Sequence, residues 1–198
     1  MTSTHSFKQG LSKVLRLWRD GQFDRALNAV DELMKSWPGN PRLHVIWASL
    51  VQLQDQPTYS LEDARNALER AIELEKDSPA AVIELGHFLD NVDDDPKAAS
   101  KAFSEGVRSA RRLLIDGLLG QAKALLQLEK RDEALQRLIE SLYLANVDST
   151  SEGRKPPNGT PDVLVRDPTG HMQAFQLKGS FAMRIEDLLQ ELLPQRSA

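Results

Sequence analysis

The chain has no cysteine in its 198 residues. It therefore forms no disulfide and offers no thiolate nucleophile or metal ligand, as suits a reducing compartment. It also lacks any apolar run of signal-peptide or membrane-spanning length. The opening Met1-Thr-Ser-Thr-His-Ser-Phe7-Lys8 is polar, so the expectation is a cytoplasmic protein with no membrane partner. Nor is charge of one sign in large excess: 25 basic against 29 acidic side chains leave a net −4, which gives no general electrostatic reason to hold nucleic acid. Arg108, Arg111 and Arg112 make a small basic patch, expected on a solvated helix face.

Catalytic and metal-binding patterns are missing as well. Histidines at 5, 44, 87 and 171 stand at no ligand spacing. Asp93-Asp94-Asp95 lacks the loop length, glycine and glutamate of a calcium-binding EF-hand and reads as a turn ending in a helix N-cap. Gly117-Leu-Leu-Gly120 lies inside a helical pattern with no strand before it, unlike a phosphate-binding loop, and no serine sits in a nucleophile elbow. No catalytic residue, cofactor or metal is expected.

What the chain does have is a period. Ala26, Ala64, Ala99 and Ala134 are separated by 38, 35 and 35 residues. Four residues after them stand Val30, Leu68, Phe103 and Leu138; eight after stand Met34, Ile72, Val107 and Leu142. These spacings place each set on one stripe of an α-helix that must be buried. Seven residues on come Leu33, Ala71, Gly106 and Ser141, small in three cases, which lets helix backbones approach closely. A preceding helix is marked by Val14, Ala48, Gly86 and Ala122, each followed three residues later by Leu17, Val51, Leu89 and Leu125. Asn40-Pro41, Ser78-Pro79 and Asp95-Pro96 pair an N-cap side chain with a proline in the first turn, so helices begin near 41, 79 and 96.

Repeated helical hairpins of this period resemble the tetratricopeptide repeat (TPR) family, over residues 6 to 146. Gly21-Gln-Phe23-Asp-Arg-Ala26-Leu27 resembles that family's turn and second-helix opening, Trp37-Pro38 its closing proline and Leu85-Gly86 its Leu-Gly pair. Leu128-Glu-Lys-Arg-Asp-Glu-Ala134 resembles its common turn, with Glu129 in place of glycine. The first leading helix lacks the usual Leu-Gly pair, and extra residues occur around Asp55-Gln-Pro57-Thr-Tyr59-Ser60 and at Asp93-Asp94-Asp95.

The resemblance implies an all-α solenoid whose first helices line a concave groove for a peptide or helix of a partner protein. Carried across, the groove candidates are Leu11, Leu15, Trp18 and Arg19, then Val45, Ser49 and Gln52, then Ile83, His87 and Asp90, then Leu119 and Lys123. The cationic cluster by which some TPR adaptors clamp acidic chaperone tails is absent, since its positions hold Leu11, Leu15, Ile46, Ala80 and Glu84. Recognition through apolar anchors is expected instead, with Trp18 the foremost candidate.

Residues 149–161, rich in Ser, Gly and Pro, read as a linker between a repeat array at 1–148 and an appendage at 162–198. In the appendage, Asp162–Arg166 and His171–Leu177 flank Asp167-Pro168-Thr169-Gly170, a β-hairpin pattern. Phe181, Ile185, Leu188, Leu189 and Leu192 then mark a short amphipathic helix that stops before Pro194. Neither piece is stable alone. The helix caps the array, or else Phe175, Phe181, Ile185, Leu188, Leu189 and Leu192 engage another chain, including a second copy. The leading expectation is a non-catalytic scaffold or adaptor. A structural subunit self-associating through the tail is the alternative, and an enzyme with an unrecognised site comes third.

Overall fold

The computed structural model describes residues 2–151, 163–166, 172–175 and 181–192. The order is α1 (Thr2–Arg19), α2 (Phe23–Ser36), α3 (Pro41–Val51), α4 (Leu61–Leu74), α5 (Pro79–Asn91), α6 (Pro96–Gln127), α7 (Arg131–Ser151), strands β1 (Val163–Arg166) and β2 (Met172–Phe175), and α8 (Ala182–Leu192). The chain divides into two units, residues 1–110 and 111–198, whereas composition suggests a division at 149–161. Of that expected linker, residues 149–151 belong to α7, and the rest lies outside the described residues.

In the first unit α1 packs on α2, α2 on α3, α3 on α4 and α5, and α4 on α5. The alanine ladder holds these helices together. Ala26, Ala64 and Ala99 are buried, as are Val30 and Leu68 one turn on, so the stripe inferred from the period is the packed seam. Small residues set the spacing where helices touch. A methyl group on Gly86 would lie 2.7 Å from Phe103 Cε1, and one on Gly106 would lie 2.5 Å from Ile83 Cγ1. At the start of the chain the roles reverse, and Leu33 fills the space over Gly10.

Helix boundaries show which local signals act. Pro41 and Pro79 open α3 and α5, but Asn40 and Ser78 make no side-chain cap, contrary to the expectation from sequence. Proline has no N–H to satisfy and a fixed φ, and that suffices there. Asp95 does cap α6, accepting from Ala98 N at 3.0 Å. Ser60 and Asp63 form a full capping box on α4.

The extra residues between α3 and α4 form a built loop. Asp31 on α2 accepts from Trp47 Nε1 at 2.6 Å and from the Tyr59 hydroxyl at 2.8 Å. The two rings meet edge to face, 4.8 Å apart. Gln54 bridges the loop internally, donating to Tyr59 O and accepting from Thr58 N and Tyr59 N.

Trp37-Pro38-Gly39-Asn40 and Glu75-Lys76-Asp77-Ser78 form turns 11 to 14 residues after the first two ladder alanines, but no turn stands at that distance after Ala99. Instead α6 is a single helix of 32 residues. Ala110-Arg-Arg-Leu-Leu-Ile115 contains no proline, glycine or capping side chain to end it.

The second unit has its own core. Ile115, Leu119 and Ala122 of α6 meet Leu138 and Leu142 of α7 and Ile185 and Leu188 of α8, all buried. Ala134 is buried too, and Arg184 pairs with Asp116. Strands β1 and β2 run antiparallel, with Val163 opposite Phe175 and Arg166 opposite Met172. The turn inferred at residues 167–170 lies outside the described residues.

Candidate interaction surface

The sequence-derived candidates fall into three environments. On α1 and α3, Leu15, Trp18 and Val45 are half-buried against the first unit's core, and Arg19 is exposed. These side chains present part of their apolar surface to solvent. Leu11 is buried in that core, so it is packing and not available to a ligand. Ser49 is buried as well; its hydroxyl lies 2.7 Å from Glu84 Oε1 and 3.0 Å from Val45 O, tying α3 to α5. Gln52 donates to Ala48 O on its own helix.

On α5, Ile83 packs over Gly106, and the exposed His87 ring meets Phe103 edge to face at 5.0 Å. Asp90 joins Pro96, Ala99, Ser100, Phe103, Ser104 and Val107 around an open cleft of about 460 Å³ between α5 and the first part of α6. Spacing alone assigned Phe103 and Val107 to the buried stripe; Phe103 is half-buried and Val107 is 52% exposed. Ala110-Arg-Arg-Leu-Leu-Ile115 carries no breaker, and α6 continues through it.

In the second unit Leu119 is buried beneath α7 and α8, so it is core; Lys123 is exposed. Of the tail candidates, Ile185 and Leu188 are buried in the same core, and Phe181, Leu189 and Leu192 are half-buried against it. The side chain of Phe175 lies outside the described residues.

Electrostatics favour the α1 end. Helix α1 carries Lys8, Lys13, Arg16 and Arg19 and no carboxylate, and Lys8, Lys13 and Arg16, with Gln9 and Ser12, line an open cleft of about 500 Å³. The resolved pKa shifts belong to structural contacts. The Asp31 hydrogen bond raises the Tyr59 phenol, and Ser60 lowers the Asp63 carboxyl. Among the described residues no three His, Asp or Glu side chains converge as a metal site, and no helix is long and apolar enough to cross a membrane.

Fold and surface together define a protein of stacked helical hairpins with a part-apolar first-helix face. No family model matches the chain. It is similar to an uncharacterized 18.1 kDa protein in the carS 3' region of Myxococcus xanthus, with 31% identity over 88 residues, covering 40% of this chain and 52% of that protein. The chain thus spans about half the length of that relative. Two crystal structures of MamA are similar in fold at 18% and 17% identity, with TM-scores of 0.46 and 0.44; each covers 72% of this chain, and 80% and 74% of MamA respectively.

Proposed function

We propose that the protein is a non-catalytic, cytoplasmic TPR-type module that holds a segment of another protein along the first helices of residues 1–110. The observation that carries this reading is the partial exposure of apolar side chains packed on the core at α1 and α3. The ladder alanines of the second helices are buried, while Leu15, Trp18 and Val45 on the first helices keep part of their apolar surface in solvent. A side chain held rigidly by packing on one side and open on the other is what a binding anchor needs. Arg16 and Arg19, beside Leu15 and Trp18 on α1, favour a segment that carries carboxylates next to its apolar anchors.

The test is affinity capture from native cell extract with the full chain and with Trp18→Ala, read by mass spectrometry. Both proteins are first compared by circular dichroism. A protein held by the wild type and lost from a normally helical Trp18→Ala supports the reading. Identical captures count against it. Unfolding of the variant identifies Trp18 as core, in which case Val45→Asp and Arg19→Glu carry the test.

A further inference from the structure

Within residues 1–110 the second helices pair their cations and the first helices do not. On α2 and α4, Lys35 pairs with Glu32, Arg65 with Glu69 and Asp93, and Arg70 with Glu73, while Arg25 donates to Gln22. On α1 and α3, Lys8, Lys13, Arg16, Arg19 and Arg42 are exposed and make no ion pair or side-chain hydrogen bond among the described residues. Neither helix contains a carboxylate, and Asp20 in the turn after α1 pairs with none of these cations. Helix α5 is the reverse: it has Glu84 and Asp90 and neither lysine nor arginine.

The charges fall on one repeated stripe. Aligned on Val14, Ala48 and Gly86, Lys8 matches Arg42, Ser12 matches Glu84, and Leu15 matches Ser49, with Arg19 one turn beyond Leu15. Spacings of four and three keep these positions on one face of each helix. That face is continuous from α3 to α5, since the Ser49 hydroxyl lies 2.7 Å from Glu84 Oε1. Glu84 is half-buried and has no cation within ion-pair distance among the described residues; the His87 ring one turn on meets Phe103 instead. A carboxylate partly withdrawn from water and held by one neutral hydroxyl is under-compensated, so a cation placed on it gains more than it would in open solvent.

We infer that the protein segment held by the first helices carries both signs of charge in a fixed order: carboxylates against Lys8, Arg19 and Arg42, and a lysine or arginine against Glu84. The half-buried Leu15 and Val45 stand beside the cations on α1 and α3 and take apolar residues of the same segment. A nucleic acid or an anionic membrane suits the cations but is repelled at Glu84 and Asp90, whereas a polypeptide supplies both signs on one strand. The order of charge decides which end of the segment lies on α1, because a reversed segment sets like charges together at both ends. This rests on the first-helix face being the binding face, and adds the chemistry and direction of what is bound there.

Short random peptides displayed on phage are selected on the full chain, and the selected peptides are synthesised and measured by fluorescence anisotropy. The expected peptides carry acidic residues at one end, a lysine or arginine toward the other and apolar residues between. Glu84→Gln should weaken them about tenfold. Replacing the peptide's basic residue with methionine should weaken the wild type equally and leave Glu84→Gln unaffected, which identifies the pair. Peptides that are lost with Val45→Asp but show no such coupling overturn the charge order and leave the first-helix face as the binding face. Selection of no peptide, or of peptides indifferent to Val45→Asp, overturns both. If Glu84→Gln fails to fold, the methionine peptide on the wild type decides, and an unchanged affinity overturns the inference. Single-stranded DNA and anionic phospholipid vesicles serve as competing ligands; tighter binding of either than of the peptides overturns it as well.

Discussion

Glu129 holds the same backbone position in the α6–α7 turn that Gly21 holds in the α1–α2 turn. Each stands five residues before its ladder alanine and has positive φ, 60° and 71° respectively. The closing hydrogen bonds match. Gln22 N donates to Leu17 O and Gly21 N to Trp18 O; Lys130 N donates to Leu125 O and Glu129 N to Leu126 O. Glycine adopts this left-handed conformation freely, whereas a side chain with a Cβ is strained in it. Asp94, five residues before Ala99, has φ 50° and follows the same rule, with a closing bond from Asp95 N to Leu89 O that spans six residues where the others span five.

The expected consequence is that Glu129→Gly stabilises the protein by about 1 kcal/mol, and that Gly21→Ala destabilises it by a similar amount. The urea midpoint followed by circular dichroism measures both. A Glu129→Gly variant with a lowered midpoint would show that the Glu129 side chain contributes more than its backbone strain costs.

The close helix approaches make a second prediction. Gly86 lies under the Phe103 ring and Gly106 under Ile83, each nearer than a methyl group tolerates. Gly86→Ala and Gly106→Ala therefore force the helices apart or push side chains off their rotamers, at about 1–3 kcal/mol each. Helix propensity alone favours alanine over glycine by roughly 1 kcal/mol, so the sign of the measured change decides which effect wins. A stabilised Gly106→Ala would mean that Ile83 has room to move aside.

The alanine ladder and its apolar companions were legible because helical periodicity reports directly which residues face inward. What periodicity does not report is whether the chain turns. The spacing of 35 from Ala99 to Ala134 persists although α6 runs unbroken from Pro96 to Gln127, and the missing turn is visible only as the absence of a breaker at Ala110–Ile115. Leu119 illustrates a second limit. It occupies a groove position by spacing, yet Ile185 and Leu188, more than 60 residues downstream, share its core. The tie of Asp31 to Trp47 and Tyr59 spans 16 and 28 residues, with no local pattern to announce it.

The capping box on α4 gives a prediction with a defined pH window. Asp63 accepts from Ser60 N at 2.9 Å and from the Ser60 hydroxyl at 2.7 Å, and Ser60 Oγ in turn accepts from Asp63 N. The Ser60 side chain, then its backbone, holds the Asp63 carboxyl below its ordinary 3.8. A carboxylate lowered by folding contributes stability above its unfolded value, and that contribution fades as pH falls through the lower folded value. Ser60→Ala is expected to cost about 1 kcal/mol near neutral pH. Its side-chain NMR titration should move Asp63 back toward 3.8; an unmoved titration would show that the backbone bond alone sets the shift.

The Asp31 site behaves oppositely at the alkaline end. Donation to Asp31 raises the Tyr59 phenol above its ordinary 10.0, with burial and the carboxylate charge adding to the effect. The folded state thus keeps the proton that the unfolded chain releases. The stabilisation is complete below pH 10 and declines as pH rises beyond 10 through the higher folded value. Tyr59→Phe removes the hydroxyl, so the stability difference between wild type and variant should shrink as pH climbs past 10. Asp31→Ala removes acceptors from both Tyr59 and Trp47, and the loss of bonds to a charged group is expected to cost about 2 kcal/mol. If the two changes act through one network, their combined cost is less than the sum of the separate costs, because the Tyr59 bond is lost only once. Strict additivity in urea unfolding would mean that Tyr59 and Asp31 stabilise the loop separately, and that the edge-to-face contact of Tyr59 with Trp47 anchors residues 52–60 without the hydrogen bond.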